Sequence, residues 1–183
     1  MTVAFNLTEF ALPPRVVVGD ISIARPGPLT VTCIGEVRHM EDDPALGPWW
    51  QQKTVTLGRC ASIAEAISFI SLAVARGDIA MEEGEALDFA PILFVILDRD
   101  KRLVLAGEMS GADVEWCDPV ASDGEARQVV EAASRIRAEA SYEAGWDNFS
   151  TAKGLRHKAS VLEGRLVDHA WREEVRRILR EGT

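Results

Sequence analysis

Histidine and cysteine, which carry much of enzyme catalysis and metal binding, are scarce in this chain, with three of each. Cys33, Cys60 and Cys117 are an odd number at wide spacing and include no C-x-x-C pair, so neither a disulfide framework nor a zinc site is indicated. His157 and His169 are separated by about 18 Å along a straight helix, which is too far for one metal ion. We therefore expect no bound metal and no cofactor.

The motifs of several common enzyme classes are also missing. The chain contains no glycine-rich phosphate-binding motif, no G-x-S-x-G nucleophile motif and no H-E-x-x-H zinc helix.

It has no run of 18 apolar residues, and residues 1–9 lack a basic segment followed by a continuous apolar one. We therefore expect a cytoplasmic protein with no membrane partner. Arginine supplies 16 of the 20 basic residues, which we interpret as a sign of a GC-rich bacterial genome.

Charge is distributed unevenly along the sequence. Residues 1–120 contain 18 acidic and 9 basic residues, whereas residues 121–183 contain 11 of each, and the net charge is −9. Such a chain repels nucleic-acid phosphates, so direct nucleic-acid binding is not expected, and a partner with a basic surface suits it better. The change in composition predicts an acidic body over residues 1–118 and a helical segment over residues 119–183. That segment either stands apart or packs on the body as a single domain.

Alternating and apolar stretches predict an α+β fold with an antiparallel sheet of about six strands and one capped helix, followed by a helical segment. The predicted strands cover residues 3–8, 15–23, 29–38, 50–57, 92–97 and 103–106. The last two form a hairpin whose turn contains Asp98 and Asp100, and we expect both carboxylates to face water. Residues 113–116 are predicted to form a loop.

Two S-x-x-E capping boxes mark the starts of helices, at Ser62 with Glu65 and at Ser122 with Glu125. The first helix is predicted to end before Gly77. Its apolar stripe contains Ile63, Ile67, Ile70 and Val74. The stripe of the second helix contains Ala126, Val129, Ala133, Ile136 and Ala140, small residues that permit close packing.

A third helix is predicted to start at Asp147. Its inner face contains Phe149, Ala152, Leu155, Ala159 and Leu162. After this helix the apolar face moves by more than a quarter turn, to Val167, Trp171, Val175 and Ile178. A break at Gly164 or Asp168 is therefore predicted.

Two sets of residues are candidates for catalysis. Cys60 comes just before a predicted helix N-terminus and after Arg59, and both neighbours favour the thiolate form. A buried, inert thiol is the alternative for this residue. The other candidate is the predicted loop from Asp113 to Trp116, which could work with His39.

Three surfaces are candidates for binding. Trp50 is a candidate exposed anchor, because it is adjacent to Trp49 and the two rings point to opposite faces of a strand. Covering by the C-terminal helices is the alternative for Trp50. The other two surfaces are the acidic loop and the C-terminal helix. Their candidate residues are Glu41, Asp42, Asp43, Trp171, Arg176 and Arg180.

The arginines of the C-terminal helix have three interpretations. They can be solvated and compensate the helix dipole, they can bind the acidic body of a second copy in a homodimer, or they can contact nucleic acid. Taken together, these features predict a non-enzymatic cytoplasmic interaction or regulatory module that binds a protein partner or itself. A small enzyme using Cys60 or the Asp113 to Trp116 loop is the first alternative, and a nucleic-acid-associated protein is the second.

Overall fold

The structure, a computed structural model, describes residues 27–39, 49–77, 79 and 89–181. The strands of this part are β1 (Leu29–His39), β2 (Trp49–Cys60), β3 (Phe89–Leu97), β4 (Leu103–Ser110) and β5 (Asp113–Trp116). The helices are α1 (Ile63–Arg76), α2 (Asp123–Gly145), α3 (Phe149–Gly164) and α4 (Arg172–Glu181). The strands form an antiparallel sheet in the order β2-β1-β3-β4-β5. The protein is therefore an α+β fold, as predicted. None of the helices in the described residues combines the length and the apolar character that spanning a bilayer requires.

The strand predictions are largely confirmed, with one correction. The predicted strands at 29–38 and 50–57 and the hairpin at 92–97 and 103–106 correspond to β1 to β4, whereas the predictions at 3–8 and 15–23 lie outside the described residues. The prediction of a loop at 113–116 is wrong, because these residues form β5. Gly111 has φ 64°, which lets the chain reverse in a tight turn and pair Asp113 with Ser110.

Both capping boxes form as the sequence predicts. The backbone N–H of Glu65 donates to Ser62 Oγ at 3.2 Å, and the Glu65 carboxylate accepts from the N–H of Ala61 at 2.7 Å. Ser122 and Glu125 repeat this arrangement at the start of α2, with the same two distances. The first turns of α1 and α2 are therefore satisfied by side chains close in sequence, so their positions could be predicted locally.

The two faces of the sheet pack against different helices. One face contacts α1 and α4, and the other contacts α3, on which α2 packs in turn. The larger core cluster contains Leu29, Val31, Cys33, Cys60, Ile63, Ala66, Ile70, Phe94, Ile96, Val104, Leu105, Val167, Trp171 and Val175. The smaller cluster contains Ile34, Leu93, Val95, Leu103, Ala106 and Cys117. The strands β3 and β4 contribute to both clusters, which agrees with their near-continuous apolar sequences.

The C-terminal helices follow the predicted stripes with one exception. Ala126, Val129, Ala133 and Ala140 are the buried residues of α2, and the predicted break separates α3 from α4. Phe149, however, is 49% exposed, so its assignment to the inner face of α3 is wrong. It is the first residue of α3, and the helix is already seated on its neighbours through the buried Ala152 and Ala159.

The carboxylate of Asp98 is buried in the turn between β3 and β4, where it accepts four hydrogen bonds. Its Oδ1 accepts from the backbone N–H groups of Asp100 and Arg102, both at 2.9 Å. Its Oδ2 accepts from Arg102 Nε at 2.8 Å and from the indole Nε1 of Trp171 at 3.0 Å. The expectation that Asp98 faces water is therefore wrong. A turn residue is buried here because the segment leading into α4 covers it.

The pKa of the Asp98 carboxyl is lowered in the folded protein. Burial on its own raises this pKa, but the hydrogen bond from Trp171, the amides of Arg102 and Asp100 and the guanidinium charge of Arg102 together lower it. A carboxyl with a lowered folded pKa stabilises the protein above its unfolded pKa, about 3.9. That contribution is lost as the pH falls from there through the lower folded pKa.

Replacing Asp98 by asparagine should therefore lower the free energy of unfolding by roughly 2–4 kcal/mol at neutral pH, because an amide NH2 then faces donors of the network. Denaturant unfolding of both proteins measures the difference, which should shrink as the pH falls below about 4. Asp100→Asn, in the exposed part of the same turn, is the matched control and should cost less than about 1 kcal/mol. Equal effects of the two substitutions would contradict this role of Asp98.

Gly164 sets the distance between α3 and the sheet. A Cβ atom placed on Gly164 would lie 2.9 Å from Cys117 Sγ and 3.1 Å from the Cβ of Ala106, whereas one on Gly154 of the same helix would meet no atom within 4 Å.

Gly164→Ala should therefore destabilise the protein by about 1–3 kcal/mol. Gly154→Ala should stabilise it by about 0.5–1 kcal/mol, because alanine favours a helix interior. Thermal unfolding of the two variants checks the pair, and a neutral Gly164→Ala would show that α3 is not in tight contact.

Candidate interaction surface

The structure does not bring the candidate catalytic residues together. Cys60 pairs with Leu29 at one end of β1, and His39 lies at the other end, about 33 Å away along the strand. Asp113 lies on β5, three strand positions from β1, or roughly 14 Å across the sheet. His39 instead contacts the side chain of Gln51, with 3.2 Å between Nε2 and Oε1. None of these residues is therefore placed to transfer a proton to another.

The thiol of Cys60 is less acidic than the sequence suggested. Burial raises its pKa, and the negative charge of Glu65 raises it further. The capping carboxylate that helps to start α1 thus counteracts the effect of the helix N-terminus. Burial also raises the pKa of Cys33 to about 12 and, with the charge of Glu108 adding to it, that of Cys117 to about 11. All three thiols are buried and protonated at neutral pH.

The described residues show no metal-binding cluster, and the depression beside Trp171 offers few groups for catalysis. No group of three His, Cys, Asp or Glu side chains in this part of the chain could hold a metal ion. A depression of about 240 Å³ lies between the start of β1, the first turn of α1 and Trp171. Glu174 is the one ionisable residue that lines it among the described residues. An acid and base pair is therefore not available there.

The residues predicted for binding on the C-terminal helix occupy different environments. Trp171 is 6% exposed and belongs to the larger core cluster, so it does not form part of the surface. Arg176 lies 3.5 Å from Glu173 of its own helix. Arg180 donates from Nε to the carbonyl of Arg176 at 3.0 Å. Arg172, the first residue of the same helix, is buried.

Most arginines after residue 120 form ion pairs within the same segment. Arg172 binds Asp123 at 2.9 Å, and Arg165 binds Glu125 at 2.6 Å. Arg137 of α2 bonds to Glu163 of α3, with 2.8 Å between Nε and Oε1. These contacts join α2 to α3 and to the segments that follow. The charge balance noted in the sequence therefore reflects internal pairing more than a basic surface.

Trp50 lies on β2 and is 46% exposed, which agrees with its interpretation as a surface residue. The ammonium group of Lys153, from α3, lies 5.8 Å from the centre of the Trp50 ring and also binds the carboxylate of Glu36 on β1. The acidic loop with Glu41, Asp42 and Asp43 lies outside the described residues. Trp50 is therefore a predicted binding residue that the structure places on the surface, beside Lys153 of α3.

Three further aromatic side chains are exposed where α2 meets α3. Trp146 is 67% exposed, Tyr142 63% and Phe149 49%. The rings of Tyr142 and Trp146 contact each other edge to face, with 6.2 Å between their centres. Phe149 lies one turn before Lys153 on α3, and Lys153 contacts Trp50. We refer to Trp50, Tyr142, Trp146 and Phe149 as the aromatic surface.

The turn that carries Trp146 is fixed by its own hydrogen bonds. The N–H groups of Trp146 and Asn148 both donate to the carbonyl of Glu143, at 3.0 Å. The side-chain amide of Asn148 donates to the Glu143 carboxylate at 2.7 Å, and Asp147 has φ 60°. A left-handed residue just after a helix is a common way to end it. Trp146 is thus exposed on an ordered turn rather than on a frayed helix end.

The sequence contained a signal for this surface that our predictions did not use. The spacing of Tyr142 and Trp146 places them on one side of α2, and Ala126, Val129, Ala133 and Ala140 already supply its buried stripe. Two aromatic residues outside a complete buried stripe are candidates for exposure. Phe149 was assigned to the inner face because the start of α3 was predicted from apolar spacing alone.

Because their pKa values are raised, the three cysteines should react slowly with iodoacetamide in the folded protein at pH 7. The rate for Cys60 should keep rising with pH to above about 9, since only the thiolate reacts. Peptide mass spectrometry after timed alkylation gives the rate at each site, and the urea-unfolded chain is the control for full accessibility. A Cys60 rate that reaches its plateau below pH 8 would restore it as a nucleophile candidate.

Comparison with known proteins assigns no family to this chain. No family model, no curated protein and no solved structure matches it. Its function must therefore be inferred from its own residues and their arrangement.

Proposed function

We propose that this protein is a non-enzymatic interaction module that binds another protein through the aromatic surface. The observation that carries the proposal is the exposure of Trp146 and Tyr142, which contact each other on a hydrogen-bonded turn. Exposed groups of large aromatic side chains are uncommon on proteins that bind nothing, and tryptophan and tyrosine are enriched at the energetic centres of interfaces.

The scaffold supports this role because it fixes the aromatic residues before binding. α2 and α3 pack along each other, and the ion pair of Arg137 with Glu163 joins them. α3 in turn packs on the sheet through Gly164. A partner that binds such a surface does not have to order it first, which lowers the entropic cost of association.

A different protein suits this surface better than a second copy of the chain does. Glu139, Glu143 and Asp147 lie beside Tyr142 and Trp146, and the chain carries a net charge of −9. Two copies joined through this surface would bring these carboxylates together. A homodimer through the C-terminal helices is therefore the competing outcome in the experiment below.

Site-specific photocrosslinking tests the proposal. A photoreactive phenylalanine analogue is introduced at Tyr142 and, as the matched control, at Val130, which is 45% exposed on the same helix. In an extract of the source organism, the analogue at Tyr142 should yield one discrete adduct with a different protein. The adduct should not form from Val130 or when Trp146→Ala is also present. The captured protein, once purified, should bind the chain in calorimetry and lose about tenfold or more in affinity with Trp146→Ala.

The results that contradict the proposal are equally specific. Equal labelling from both positions, or labelling that Trp146→Ala does not change, would show that the aromatic surface is not a binding site. An adduct with twice the mass of the chain would identify a homodimer instead. Thermal unfolding of Trp146→Ala should match that of the parent protein, because the side chain is exposed, so a lost adduct cannot be attributed to unfolding.

A further inference from the structure

We infer that the last turns of α2 bind a positively charged segment of the partner, with an arginine or lysine side chain against the rings of Tyr142 and Trp146. This inference rests on the proposed function and names the class of partner. It depends on three features. These are the order of residues along the end of α2, the lack of a basic residue in its last turn, and a cation that is held between a ring and a carboxylate elsewhere in the protein.

Aromatic and acidic residues alternate along the end of α2 and the turn that follows it. Glu139, Tyr142 and Glu143 lie in the last turns of α2 at the spacing i, i+3 and i+4, and Trp146 and Asp147 follow in the turn, where the Trp146 ring contacts that of Tyr142. We refer to these five residues as the acidic aromatic stripe. Each ring has a carboxylate as its neighbour in the sequence, a combination that attracts a cation to a ring face and to a carboxylate together.

The end of α2 lacks the positive charge that usually balances it. No basic residue lies in the last turn of this 23-residue helix, so the negative end of its dipole is not compensated there. In the described part of the chain, Glu139, Glu143 and Asp147 form no ion pair, whereas most arginines of the same segment do. The stripe is thus a negatively charged, aromatic region to which a cationic group of a partner can bind.

The contact at Trp50 shows how this chain binds a cation. The Lys153 ammonium lies over the Trp50 ring and bonds to the Glu36 carboxylate, so one cation is held between a ring and an acid. Trp146 and Asp147, or Tyr142 and Glu143, present the same two groups at the stripe. An arginine side chain suits that position well, because its planar guanidinium stacks on rings and binds carboxylates with two hydrogen bonds.

A defined peptide tests the inference without knowledge of the natural partner. The probe is a fluorescent, end-blocked octapeptide with three arginines among alanines, titrated with the full chain while its anisotropy is measured. A second peptide has citrulline at the three arginine positions, which removes the charge and keeps the shape. The arginine peptide should bind, the citrulline peptide should not, and binding should weaken as salt is added.

Variants separate binding at the stripe from attraction to the overall negative charge. Trp146→Leu keeps an apolar side chain but removes the ring face, and should weaken binding about 3- to 10-fold, while Trp146→Phe should lose less. The double variant Glu143→Gln with Asp147→Asn keeps hydrogen-bond acceptors at the turn and should weaken binding by a similar factor. The matched control, Glu131→Gln with Asp118→Asn, removes two exposed charges elsewhere and should have little effect.

The following results would contradict the inference. Equal losses for the two double variants, with no effect of Trp146→Leu, would show that the peptide responds to bulk charge only. Absence of arginine-peptide binding, while photocrosslinking from Tyr142 still yields a Trp146-dependent adduct, would leave the interaction module in place and exclude a cationic partner. Absence of both would reject the proposed function as well.

Discussion

The buried carboxylate of Asp98 connects the turn between β3 and β4 to Trp171, which lies 73 positions later in the sequence. It closes the turn between β3 and β4 through backbone N–H groups, binds the guanidinium of Arg102 and accepts the indole hydrogen bond of Trp171 at the start of α4. The backbone N–H of Asp168 adds a bond of 2.9 Å to the carbonyl of Leu103 in β4. Because a buried charge is costly unless all its hydrogen bonds are formed, the segment with Trp171 that leads into α4 has one position on the sheet. The C-terminal segment is therefore packed against the body, through Trp171 on one face and Gly164 on the other.

Ion pairs within the C-terminal segment explain why the end of α2 is negatively charged. The segment after residue 120 has equal numbers of acidic and basic residues, but Arg137, Arg165 and Arg172 are bound to carboxylates of the same segment. The charged residues outside these pairs include carboxylates at the end of α2, which are next to exposed aromatic residues in the sequence. The segment after residue 120 is thus neutral in total but negatively charged at the end of α2. In α4, Arg172 is buried against Asp123 and Arg176 pairs with Glu173, so these two charges are balanced within the same segment.

Local signals in the sequence predicted most of the helices and strands that the structure describes, with β5 as an exception, whereas contacts between distant residues were not predictable in the same way. The capping boxes at Ser62 and Ser122 are complete within five residues, so the helix starts could be read directly. The burial of Asp98 depends on Trp171, 73 positions later, and a turn motif alone indicates an exposed residue. The raised pKa of Cys60 depends in part on tertiary packing, because burial is its largest cause, and the nearby carboxylate of Glu65 adds to it. Strand alternation left Trp50 with two interpretations, an exposed anchor or a ring covered by the C-terminal helices, and the structure shows it 46% exposed. The exposure of Trp146 had a local signal, its position outside the buried stripe of α2, which our predictions did not use.

We propose that a fixed core presents the acidic aromatic stripe to a cationic partner. NMR spectroscopy of the five tryptophan indole N–H groups tests this proposal, because Trp171 reports on the core and Trp146 on the stripe. The Trp171 indole proton should exchange with solvent far more slowly than that of Trp146, and an arginine peptide should shift the Trp146 signal while the Trp171 signal stays in place. Fast exchange at Trp171 would contradict the role of Asp98. A peptide that leaves Trp146 unchanged, or shifts all the indole signals alike, would contradict the stripe as the binding site.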